Sequence, residues 1–138
     1  MKKRGQAAFE YMILIGAILV ILIPLFYYSN EYSNQHIKIE KAEDAVRTLG
    51  KAADSLYALG PGNKDYVWIN LPGSIKETSV NGNEILIKVY VYRGESDFYY
   101  TTIGPVTGEI PTSKGTFRME IKVLDTEPDV GVVKIAQP

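Results

Sequence analysis

The chain has no cysteine and a single histidine. The first absence excludes a disulfide framework, a zinc–thiolate site and a cysteine nucleophile. The lone histidine, His36, sits beside the polar stretch Ser29–Gln35 and reads as a solvated side chain. There is no glycine-rich phosphate cradle and no nucleophile–base set, so the sequence points to no cofactor, no catalytic residue and no enzyme. No Asn-x-Ser/Thr signal occurs, which removes N-glycosylation at that signal. Net charge is −1. No basic run follows Arg4, so nothing supports nucleic-acid binding. Acids cluster only at Asp125-Thr126-Glu127-Pro128-Asp129. These oxygens suit calcium, but a turn between two strands uses the same residue types, and no metal site is expected. The most informative absence is local: from Tyr11 to Tyr28 there is no charged residue at all.

The 138 residues suffice for one domain of ordinary size. The first thirty cannot belong to a soluble core, which leaves ~100 residues for a globular part. A helix needs about 20 apolar residues to cross a bilayer, and Phe9 together with the charge-free run meets that length. Tyr11, Tyr27 and Tyr28 flank the run like interfacial anchors. Lys2, Lys3 and Arg4 precede it, and the next basic residue is Lys38. Positive charge stays on the cytoplasmic side, so the amino terminus is inside and the remainder outside. Pro24 lies within the run, removes a backbone hydrogen bond and crowds the carbonyl of Val20. It is either a tolerated transmembrane proline or a soft point where the helix bends. Gly16-Ala17 is a small-residue patch open to a neighbouring helix.

Three processing schemes compete. A secretory signal peptide needs a small-x-small site after the apolar core, and Pro24-Leu25-Phe26-Tyr27-Tyr28-Ser29 offers none. An uncleaved anchor leaves Glu10 unexplained, because an acid at depth in a membrane helix costs about 2.5–3.5 kcal/mol. The third scheme is cleavage before the apolar core.

Gly5-Gln6-Ala7-Ala8-Phe9-Glu10-Tyr11-Met12-Ile13-Leu14 resembles the class III signal peptide of archaeal type IV pilin-like proteins. In that family a glutamine opens the mature chain, glutamate holds its fifth position and leucine its ninth. Gln6, Glu10 and Leu14 match; Ala8 stands where serine is usual. The resemblance implies that a prepilin peptidase cuts between Gly5 and Gln6. It also implies that Glu10 and the new amine of Gln6 serve subunit recognition and register. Losing the three basic leader residues would take the net charge from −1 to −4.

Beyond the polar stretch, Ala42, Ala45, Val46, Leu49, Ala52, Ala53, Leu56 and Leu59 recur at helical spacing. The opposite face carries Glu40, Lys41, Glu43, Asp44, Arg47, Lys51 and Asp54, with Glu43 and Arg47 as an i, i+4 pair. Gly60-Pro61 ends the helix. One helix from about Gln6 to Leu59 would run roughly 80 Å. From Tyr66 the period becomes two. Strands are expected at Tyr66–Leu71, Ile75–Val80, Glu84–Tyr92, Asp97–Ile103, Thr116–Leu124 and Val130–Ala136, with turns at Asn81-Gly82-Asn83 and Arg93-Gly94-Glu95-Ser96. Gly104–Gly115 reads as the longest irregular stretch, either a rigid surface loop or an arm that reaches a neighbour.

The expected fold is therefore α+β: a long amino-terminal transmembrane and filament-core helix, then an antiparallel β-sheet head, as in pilins. Residues 1–5 are the basic leader, 6–28 the transmembrane part, 29–60 the amphipathic continuation and 61–138 the β-rich extracellular head. The expected role is a structural subunit of an extracellular archaeal type IV-like pilus, for which adhesion is an attendant role. Alternatives are a minor or priming pilin-like component of an assembly or secretion system, or a monomeric membrane-anchored binding module. The partners implied are the prepilin peptidase, identical or related subunits, and the membrane before assembly.

Overall fold

The computed structural model describes residues 2–125 and 131–138, with side chains from Gly5 onward. It confirms the α+β class: a long apolar amino-terminal helix followed by β-structure. Helix α1 spans Lys2–Leu59, beginning upstream of the expected Gln6. The chain divides into two compact units, Met1–Gln35 and His36–Pro138. The second is described here.

Among the described residues seven strands follow the helix: β1 (Lys64–Leu71), β2 (Ile75–Asn81), β3 (Glu84–Val91), β4 (Gly94–Thr101), β5 (Val106–Gly108), β6 (Gly115–Asp125) and β7 (Gly131–Ala136). They form a four-stranded sheet in the order β1-β6-β7-β5 and a three-stranded sheet in the order β2-β3-β4. Every pairing is antiparallel except β5 with β7.

Six of these strands were legible from the period-two pattern. β5 was not, and its presence corrects the reading of 104–115 as irregular. Val106 and Ile110 are buried in the core, and Gly108 lies where a Cβ would stand 1.8 Å from the carbonyl oxygen of Ile135. Three residues between glycine and proline carry too little alternation to reveal a strand. The turn expected at Arg93–Ser96 also shifts. Val91 pairs with Gly94, so the loop is Tyr92-Arg93 and Gly94 already belongs to β4. The β2–β3 hairpin closes at Asn81 and Glu84. Gly82 there has φ 60°, the positive φ that a two-residue hairpin favours at its first central position.

Both sheets and the helix share one core. The helix contributes Ala42, Ala45, Val46, Leu49, Ala53 and Leu56. The sheets contribute alternate residues, among them Ile69, Leu71, Ile85, Ile87, Met119, Ile121, Val133 and Ile135. The apolar stripe thus faces the sheets as its spacing implied. Its expected last member, Leu59, is instead exposed, because the chain leaves the helix at the next residue. Gly60 adopts φ 87° and donates its N–H to the carbonyls of Leu56 and Tyr57. The Asn63 amide donates to the carbonyls of Leu59 and Gly60, so three of the last four helical carbonyls, those of Leu56, Tyr57 and Leu59, have donors.

Asp54 corrects another expectation. It was placed on the solvent face, but its carboxylate accepts the Tyr100 hydroxyl at 2.9 Å and the Ile103 N–H at 2.8 Å. It ties the helix to the end of β4. One turn earlier, Gly50 is buried and a Cβ there would lie 2.1 Å from Cδ1 of Tyr100. The missing side chain is what lets that ring lie on the helix. Glu43 and Arg47 form the expected ion pair.

Candidate functional site

The described residues of the first unit are all helical. Every side chain from Gly5 to Asn30 is exposed, including Phe9, Met12, Ile23 and Phe26, the last at 81%. The helix carries a stretch long and apolar enough to cross a membrane, none of it buried. Leaving so many large apolar side chains in water is unfavourable by about 25 cal/mol per Å². The surface is complete only when lipid or other apolar helices cover it. The carboxylate of Glu10 is the one charge between Gly5 and Asn30.

Gln6, Glu10 and Leu14 follow one another at i, i+4 and i+8, so they share one face and rise by about 6 Å per step. Gly5 immediately precedes this line. A Cβ at Gly5 would meet nothing within 4 Å, and the same holds at Gly16. Glycine in a helix interior is worth about 1 kcal/mol less than alanine, so helix formation gives no reason for Gly5. The helix runs through Pro24. Tyr27 and Tyr28 meet edge to face with ring centroids 6.1 Å apart, at the end of the charge-free run.

A family model described as Class III signal peptide matches residues 3–28. Over these residues the chain is similar to that family. The match begins at Lys3, among the basic residues, and ends at Tyr28, where the charge-free run ends. No curated protein and no solved structure matches the chain. A class III signal peptide on an apolar helix supports a type IV pilin-like precursor that is anchored in the membrane before assembly. Such a signal implies processing by a prepilin peptidase and assembly with pilin subunits.

The other sequence candidates fall elsewhere. His36 is exposed, in the second unit. The calcium reading of Asp125–Asp129 involves residues 126–129, which lie outside the described residues. Among the described residues no group of three or more potential ligands is placed to hold a metal. A groove of about 430 Å³ is lined by Glu40, Lys41, Glu43, Asp44, Arg47 and Asn70. Its mixed charges, two of them already paired, give it no evident chemistry. Sequence reasoning missed Asp54 as a tie between helix and sheet. Its only signal in the sequence was an acid one turn from a glycine within the helical pattern.

Proposed function

We propose that this chain is a structural subunit of an extracellular archaeal type IV-like pilus. Residues 1–5 are a leader removed between Gly5 and Gln6. Residues 6–28 serve first as membrane anchor and then as filament core, 29–60 continue the helix into the head, and 61–138 form its β-rich body. The observation that carries this reading is the helix left uncovered on every side under a class III signal peptide. A helix that must be covered twice, by lipid and then by its copies, needs apolar residues all round. A glycine that the helix does not require fits a peptidase that approaches the backbone closely.

Glu10 sets the axial register. Cleavage creates an amine on Gln6 with a pKa near ~8. In a filament core away from water, an unpaired carboxylate is costly, so Glu10 of one subunit pairs with the amine of another. A single buried polar group fixes register in a coiled coil in the same way. The test is Glu10→Ala and Glu10→Gln, each first shown to be cut by the peptidase. Both variants insert and fold their heads but enter filaments slowly or not at all. Wild-type incorporation of cleaved Glu10→Ala would reduce Glu10 to an interfacial acid.

A further inference from the structure

The outer face of the four-stranded sheet carries a row of lysines that folding does not explain. Register sets Lys64 of β1 directly opposite Lys122 of β6, and Lys122 directly opposite Lys134 of β7. All three are exposed, and their strand neighbours Ile121, Val123, Val133 and Ile135 point to the core. Strands stand about 4.8 Å apart, so the three lysines span about 10 Å across the sheet. Like charges directly opposite one another destabilise a sheet. Among the described residues none of the three has a carboxylate within ion-pair distance. The three-stranded sheet does the opposite and pairs Lys76 with Glu95 and Lys88 with Asp97.

Aromatic surface lies beside the row. Trp68 is 65% exposed and stands opposite Arg118 in register. The Arg118 guanidinium lies 4.1 Å from the centre of the Tyr66 ring, with the Lys64 ammonium 5.8 Å from it. A flat indole left uncovered beside a stacked guanidinium offers a large aromatic face to solvent.

We propose that this face binds an acidic polysaccharide, its carboxylates or sulfates over the lysine row and a sugar ring stacked on Trp68. Charge complementarity selects an anionic polymer. Glu120 selects its kind: it sits in the next row, opposite Tyr66 and Ala136. A carboxylate there accepts hydrogen bonds from sugar hydroxyls, which a polysaccharide offers along its length and a DNA backbone does not. Asn70 and Thr116, opposite each other and exposed, add further partners for hydroxyls. The inference rests on the proposed placement of the head outside the cell, where such polymers are met.

The test uses the full chain in detergent micelles, with immobilised polygalacturonate, neutral dextran and single-stranded DNA as probes over a salt series. The chain is retained on polygalacturonate, not on dextran, and elutes as salt screens the contact. Lys122→Glu weakens retention about tenfold. It also sets an acid between two lysines, so its melting midpoint equals or exceeds that of the wild type and misfolding cannot account for the loss. Trp68→Ala weakens retention as well. Wild-type retention of either variant, or DNA bound as tightly as polygalacturonate, would overturn the proposal. Polymer binding without filaments in cells would count against the pilus reading alone, and filaments without polymer binding against this inference alone.

Discussion

Gly50→Ala is a substitution that helix propensity and tertiary structure judge in opposite ways. In an exposed helix it stabilises by about 1 kcal/mol. Here the new methyl would fall 2.1–2.5 Å from Cδ1, Cγ and Cε1 of the Tyr100 ring, so the ring must leave. Overpacking of this kind costs about 1–3 kcal/mol. The displaced hydroxyl also loses its 2.9 Å bond to Asp54, worth about 1 kcal/mol. Subtracting the propensity gain leaves a net destabilisation of about 1–3 kcal/mol. Urea unfolding of the full chain in micelles, followed by the near-ultraviolet signal of the head tyrosines, measures it. In a Tyr100→Ala background the clash is gone, and Gly50→Ala should stabilise by up to ~1 kcal/mol. A stabilising Gly50→Ala in the wild-type background would refute the placement of Tyr100 on the helix.

The remaining predictions test other joints of the structure. Leu49→Ala, at a fully buried position, lowers head stability by about 2–5 kcal/mol, whereas Leu59→Ala, 68% exposed, changes it by less than about 0.5 kcal/mol; equal effects in the same urea assay would mean the stripe is misassigned. A chain starting at Lys38 keeps the apolar stripe and both sheets, so it folds as a soluble β-rich fragment; circular dichroism of a random coil would contradict this. The hydrogen bond to Asp54, with burial, raises the pKa of Tyr100. A raised folded-state pKa stabilises below the unfolded value, near ~10, and that stability is lost as pH rises through the folded value. Lys76, raised by Glu95, adds loss in the same alkaline window. Tyr100→Phe should therefore flatten the fall in stability above about pH 10, and an unchanged fall would remove Tyr100 from the account.

What the sequence revealed was what depends on neighbours along the chain. The charge-free run, the stripe from Ala42 to Leu56, the glycine cap and six strands all write a short period or a local preference. What it concealed depends on partners far apart. β5 exists because Val106 finds Val133 in parallel register, and three residues cannot announce that. Asp54 reads as a solvent-facing acid until the end of β4 brings Ile103 to it. Gly94 reads as a turn residue until Val91 pairs with it. The lysine row is invisible in a linear reading because Lys64, Lys122 and Lys134 meet only through sheet register. At the amino terminus the case is reversed. The line Gly5, Gln6, Glu10, Leu14 was legible as a motif, and the fold around it supplies only the absence of any packing reason for it.

The central claim is that a leader is removed and the whole apolar helix stays on the assembled subunit. Mass spectrometry of the amino-terminal peptide from filaments sheared off the cell surface tests it most directly. The account predicts filaments built of this chain with Gln6 as first residue. Filaments whose subunits begin at Met1 or at Ser29 would contradict it, as would surface filaments that lack the chain.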